Sequence, residues 1–219
     1  VSQALVITNL NPTEQINLGT IIDNGLSVQV GDKLFSDFVF TYNDTDGNPL
    51  TDLTRSNVTI IALQNDFGIG MSFTQPLIAL GLVYKDITLK YSATVTDPNF
   101  AISDLHLSIT GSANNGGVGS VAEDAFLGGW GATNVGHLQA DTTNPPTNLT
   151  ATTYFVPPVP YGTKLWIQKD VIVAGSGPSS YATISIVDQT FSQIPEPSTV
   201  LLVGVGLLGA FAVMRRRQS

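Results

Sequence analysis

Between residues 86 and 95 the polar side chains Asp86, Thr88, Lys90, Ser92 and Thr94 alternate without a break with Ile87, Leu89, Tyr91, Ala93 and Val95. A period of two is the mark of a strand with one face in a core and one in water. The same alternation recurs in Phe38, Phe40 and Tyr42, in Val58, Ile60 and Ala62, in Leu105, Leu107 and Ile109, and in Ala182, Ile184 and Ile186. Turn signals stand between these runs: Asn24-Gly25, Gly31-Asp32, Asp46-Gly47-Asn48-Pro49, Asp97-Pro98 and a Gly-rich loop over 111–119. No helical stripe of ten or more residues precedes the C-terminal tail. The pattern predicts an all-β chain: a single antiparallel β-sandwich of about ten strands over residues 1–193, jelly-roll-like or Ig-like. Asn144-Pro145-Pro146 and Val156-Pro157-Pro158-Val159-Pro160 interrupt strands but are too short for interdomain stalks, so they read as loops of one domain.

Charge narrows the partners. Only 12% of the 219 residues are charged, about half the usual ~25%. Residues 1–194 hold six Lys and Arg against sixteen Asp and Glu, a net of −10. Counterion release from phosphate needs basic side chains, so nucleic acid and anionic lipid surfaces are set aside as partners. The absence of cysteine excludes disulfides, thiolate nucleophiles and Cys-ligated metals, and two histidines argue against a multi-His centre. A body of this size can stand on its core alone. The chain opens at Val1, as an exported chain does after signal-peptide removal and as any trimmed chain does.

The C-terminus has three parts in order: Pro195-Glu196-Pro197, an uncharged run over 199–214, and Arg215-Arg216-Arg217. Sixteen helical residues reach about 24 Å, short of the ~30 Å hydrocarbon core by an amount that snorkelling arginines and local thinning cover. The run lacks the polar face of a core helix, and its Gly204, Gly206 and Gly209 are better tolerated in a membrane span than in water. It is expected to be one transmembrane helix, with the arginines on the cytoplasmic side and residues 1–194 across the membrane. The prolines should end the preceding strand and leave Pro-Glu-Pro as an extended, accessible hinge.

This tripartite tail resembles the sorting signal of PEP-CTERM proteins, the exported substrates of exosortase in Gram-negative bacteria. The resemblance implies that Pro195, Glu196 and Pro197 are the recognition motif. It also implies that the span holds a precursor transiently in the inner membrane, and that Arg215, Arg216 and Arg217 are the cytoplasmic stop. Removal of 194–219 near the motif would then release or attach the body at the cell surface, often within an extracellular polysaccharide matrix. Two phrases of the body, Lys33-Leu34-Phe35-Ser36-Asp37-Phe38 and Lys169-Asp170-Val171 followed by Gln189-Thr190-Phe191-Ser192-Gln193, are similar to ectodomains of the same proteins.

Candidate chemistry is sparse. Asp104, His106 and Ser108 are the residue types of a hydrolase triad, but i, i+2 side chains on a strand stand about 6.5–7 Å apart, too far for relay, and no G-x-S-x-G elbow supports them. Asp44-Thr45-Asp46-Gly47-Asn48 has the look of a calcium loop, yet with Gly47 at the sixth position Tyr42 and Leu53 occupy the two end ligand positions. A hairpin turn at Asp46-Gly47 is preferred. Structural calcium at a sandwich edge stays open with no ligand assignable, and no other cofactor is expected. Glu123 and Asp124 are adjacent, so on a strand they face opposite sides and cannot act as a glycosidase pair. Trp130 and Trp166 are the candidates for stacking on sugar rings, with packing in the core or at an edge as the plainer role. Asn43, Asn57 and Asn148 open N-x-Thr sequons and read as turn and strand residues. The preferred expectation is a non-enzymatic surface or matrix protein with a structural or adhesive role, through self-assembly or polysaccharide contact. A carbohydrate-binding module is the second reading and a secreted hydrolase a distant third.

Overall fold

The computed structural model describes residues 6–46, 53–143 and 148–196. The span expected over 199–214 and the arginines at 215–217 lie outside them. Among the described residues no helix is long and apolar enough to cross a membrane.

Among the described residues thirteen strands form two sheets. The first is ordered β1 (Val6–Leu10), β3 (Leu26–Val30), β4 (Lys33–Asp44), β7 (Tyr84–Val95), β12 (Leu165–Ala174), β9 (Val118–Leu127) and β10 (Thr133–Thr142). The second is ordered β11 (Thr150–Val159), β8 (Phe100–Asn114), β13 (Tyr181–Pro195), β6 (Gly68–Leu80), β5 (Thr59–Asn65) and β2 (Gln15–Asn17). A six-residue helix, α1 (Leu18–Asp23), follows β2 and buries Leu18 and Ile21. Its first turn is capped by Asn17, whose side chain accepts from the Thr20 amide at 3.3 Å.

The inner faces meet as the alternation requires. Ile87, Leu89, Tyr91, Ala93 and Val95 of β7 are all buried, as are Leu105, Leu107 and Ile109 of β8. Tyr91 is the hub of an aromatic cluster, with ring centroids 5.7–6.2 Å from those of Phe35, Phe38 and Phe73, a spacing suited to offset and edge contacts.

Five expectations are corrected. The sandwich is not wholly antiparallel: β1 pairs with β3 in parallel, because β2 and α1 carry the chain across to the other sheet between them. The described residues hold thirteen strands rather than about ten, since short edge strands such as β2 carry too few residues to show a period. The stretch 111–119 is mostly strand; β8 runs to Asn114 and β9 starts at Val118. Gly111 answers to crowding rather than to a loop, since a Cβ on it would sit 2.2 Å from the Thr183 carbonyl oxygen, whereas Gly116, at φ +79°, serves the turn between the two strands. Pro157 and Pro158 lie within β11, which tolerates them as an edge strand. Finally, a bulge between Ile184 and Ile186 shifts the phase of β13 by one. Ile186 is therefore only half-buried, while Val187, Gln189 and Phe191 turn inward.

Because the two faces differ so sharply, Ile167→Ala, at a fully buried site, should cost about 2–5 kcal/mol. Ile78→Ala, at a site 42% exposed, should stay within roughly 0.5–1 kcal/mol. Urea denaturation midpoints compare them, and equal shifts would contradict the assignment of faces.

Candidate functional site

The start of the sorting motif is fastened to the body. β13 continues through Pro195, which stands opposite Phe100 of β8. One residue on, the Glu196 amide donates to the Asn99 carbonyl at 2.8 Å. The Glu196 carboxylate accepts from the Tyr161 amide at 3.0 Å. The expected hinge is thus corrected over its first two residues: Pro195 extends the strand rather than ending it, since the bond to β8 is made by the Glu196 amide and β6 no longer flanks β13 at this point. Pro197 lies outside the described residues. Beside this fastening is a cleft of about 500 Å³ lined by Ala101, Leu127, Phe155 and the Pro157–Pro160 run, with Glu196 in its wall.

On the outer face of the first sheet, Trp130 and Trp166 are brought together, edge to face at 4.7 Å between centroids. Both are half-buried. The Trp130 indole N–H donates to the Ile167 carbonyl at 3.2 Å, and the ammonium groups of Lys90 and Lys164 sit 5.8 and 5.2 Å from the Trp130 and Trp166 ring centroids. Lys164 also donates to Asp37 at 2.6 Å, and Ser36 and Ser92 donate to the same carboxylate oxygen at 2.9 and 2.5 Å. Asp37 sits at a β4 bulge with φ +59°, a conformation that Asp and Asn adopt more readily than most residues. Burial alone would raise its pKa; the bonds from Lys164, Ser92 and Ser36 outweigh that and hold it below the usual value.

On the outer face of the second sheet, Asp104, His106 and Ser108 share a face as expected. The separation expected between Asp104 and His106 is corrected: the His106 Nε2 lies 3.0 Å from the Asp104 carboxylate, though outside hydrogen-bonding angles. Side chains that lean along the strand close the i, i+2 gap. Ser108 takes no part. Nδ1 of His106 instead lies 2.7 Å from the Thr152 hydroxyl of β11. The Phe67 ring lies 4.8 Å from the His106 ring. Phe67 is 57% exposed, and Tyr154, opposite Asp104, is 70% exposed. Sequence reasoning missed this pair of exposed aromatics, because Phe67 sits in a two-residue turn and Tyr154 in an edge strand.

The calcium-like loop is described only through Asp46, which pairs with Lys85 at 2.9 Å; Gly47 and Asn48 lie outside the described residues. Among the described residues no three His, Asp or Glu are grouped to hold a metal. Asn43, Asn57 and Asn148 are all exposed. Glu123 and Asp124 face opposite sides: Asp124 is outside, 2.9 Å from His137, and Glu123 is fully buried.

Glu123 belongs to a polar cluster within the core. Directly across from it on β12 is Lys169, whose ammonium contacts the Glu123 carboxylate. The same ammonium lies 2.5 Å from the side-chain carbonyl of Gln189, contributed by β13 of the opposite sheet. All three side chains have no exposure. Burial pushes Lys169 down and Glu123 up, and each partner's charge opposes that shift. A second buried lysine, Lys33, contacts Asp32 and Gln193 near the sandwich end. Strand parity marks Lys169, which stands between Ile167 and Val171 on the apolar face, but the β13 bulge hides Gln189.

Residues 193–217 match the PEP-CTERM protein-sorting motif. The chain carries that sorting signal, and the signal implies export. No curated protein matches the chain. Many solved structures are similar to it, three of which follow. TmCBM61 in complex with β-1,4-galactotriose is 13% identical, over 72% of this chain and 90% of that one, at a TM-score of 0.30. The enzymatically active domain of bacteriophage CBA120 tailspike protein 4 is 16% identical, over 72% and 20%, at 0.29. CsCBM6-3 from Clostridium stercorarium in complex with cellobiose is 14% identical, over 71% and 92%, at 0.26. At this level of likeness neither ligand nor activity transfers.

The depressed pKa of Asp37 has a signed consequence. Its stabilisation is complete above the unfolded value of about 3.9 and is lost as pH falls through the lower folded value. Asp37→Asn, which keeps the left-handed backbone, should lower the melting temperature at pH 7 and reduce the difference between pH 6 and pH 3. An unchanged acid limb would refute the role given to Asp37.

Proposed function

We propose that this is an exported, non-enzymatic surface or extracellular-matrix protein with a structural or adhesive role. Its body, residues 1–193, acts as one jelly-roll-like domain and residues 194–219 as a removable sorting signal. In this reading exosortase recognises Pro195, Glu196 and Pro197. The run 199–214 holds the precursor transiently in the inner membrane, and Arg215, Arg216 and Arg217 keep its end cytoplasmic by the positive-inside preference. The carrying observation is continuity: the matched motif begins at residue 193, inside the last strand of the sandwich. The non-enzymatic reading is supported by the absence of Ser108 from the His106 contacts and by Glu123 and Asp124 facing apart.

A second reading, a carbohydrate-binding module, is favoured by the exposed rings of Phe67 and Tyr154 flanking the Asp104–His106 pair, since aromatic faces beside hydrogen-bonding groups suit sugar rings. Trp130 and Trp166 remain candidates for the same role, although their lysine neighbours lie over the rings.

Mass spectrometry of surface material should find a C-terminus near Pro195 and no residues 201–217, while cells lacking exosortase retain the full chain in the membrane. A surface form ending Arg217-Gln218-Ser219 would overturn processing. Glycan arrays with Phe67→Ala, Tyr154→Ala, Trp130→Ala and Trp166→Ala separate the two readings: glycan capture lost in any of the four favours the module, and none in the wild type favours the structural role.

A further inference from the structure

The groups gathered around Lys169 are a nucleophile, a base and an acyl donor, enclosed together. We infer that Lys169 and Gln189 join through an intramolecular isopeptide bond, with Glu123 as the catalytic residue that moves the proton. The inference is independent of the surface role proposed above.

The geometry comes first. The Lys169 amine contacts the Glu123 carboxylate, and the Gln189 carboxamide oxygen lies 2.5 Å from the same nitrogen. All three residues are fully buried. Bulk water is thereby excluded as a competing nucleophile, and the partners are held as an intramolecular pair, which is where large effective molarities arise. A charged ammonium cannot attack a carbonyl, but burial disfavours the charged forms of both Lys169 and Glu123 and so favours transfer of the proton between them. A desolvated lysine beside a base is an activated nucleophile.

Two further features fit. The second Glu123 carboxylate oxygen and the Tyr91 hydroxyl are buried without a hydrogen-bond partner among the described residues, and the Glu123 charge helps to raise the Tyr91 pKa, after burial itself. Unsatisfied buried groups are rare in native cores and call for a reason such as a chemical role. A small cavity of about 10 Å³ also borders Lys169, between Gln75, Leu89, Val171 and Val187. That is space for about one water-sized molecule, and ammonia is of that size.

The step balances without an oxidant or an outside reactant. Glu123 takes a proton from the Lys169 ammonium, and the free Nζ adds to Cδ of Gln189. A second proton passes from Nζ through Glu123 to the Gln189 Nε2, the Cδ–Nε2 bond breaks, and ammonia leaves. An ammonium, a carboxylate and a carboxamide become a secondary amide, a neutral carboxylic acid and ammonia. The product ties β12 to β13, and so one sheet to the other, in a chain that has no cysteine to do so.

The test is intact-mass and peptide analysis of the whole protein. The wild type should be lighter than its sequence by about 17 Da, the mass of the ammonia lost. Trypsin does not cut after an acylated lysine, so digestion in urea should fail to release peptide 165–169 and should yield instead a looped peptide containing both Lys169 and Gln189. Glu123→Gln, which keeps the shape of the side chain, should have the full sequence mass and release peptide 165–169. A wild type at full mass that releases 165–169 would overturn the proposal. So would a 17 Da loss with 165–169 released, which would place the loss elsewhere. A link that still forms in Glu123→Gln would overturn the role of Glu123. The wild-type measurement decides the bond even if the variant fails to fold.

Discussion

Two sheets held face to face have only their inner surfaces in common, and here the middle of that surface is not wholly apolar. Lys169, Glu123 and Gln189 meet there with no solvent access, against Leu89, Val171 and Val187. Before any bond forms between them, two charges in such a place are stabilised by each other only if the geometry is good, and removing one partner leaves the other stranded at a cost of about 3–5 kcal/mol. The pairing therefore imposes register on three strands at once: β9 and β12 must place Glu123 opposite Lys169, and β13 must bring Gln189 over from the other sheet.

The bulge in β13 is the local device that meets this demand. Without the extra residue near Ile184, the strand would continue with Ile186 inward, and Gln189 would face water with Asp188 in its place. Strand alternation read from sequence runs correctly along β7 and over residues 105–109 of β8, where no bulge intervenes, and fails after Ile184 because a one-residue shift in phase leaves no compositional trace. The same limit explains the surface. Phe67 and Tyr154 become neighbours of the Asp104–His106 pair only through pairing of β11, β8 and β13, and pairing order is not written in any single segment. Lys169 was legible in principle, since its parity places it with Ile167 and Val171. A polar residue on an apolar face is a signal that a reading by residue class passes over.

The outer faces follow a different logic. Trp130 and Trp166 lean on each other under lysines, and Asp37 gathers three donors at a bulge, so these clusters link β4, β7 and β12 across the outer face.

The last strand is also an inner strand. β13 lies between β8 and β6, with register to both along most of its length, and it ends at Pro195, the first residue of Pro-Glu-Pro. A pull on the C-terminal end of the body is therefore directed along the axis of a strand flanked on both sides. Hydrogen bonds to two neighbours are loaded in parallel, in shear, rather than opened one after another as at a sheet edge. Mechanically, the sandwich is gripped by its middle, and a tether at that point acts on the strongest direction of the fold.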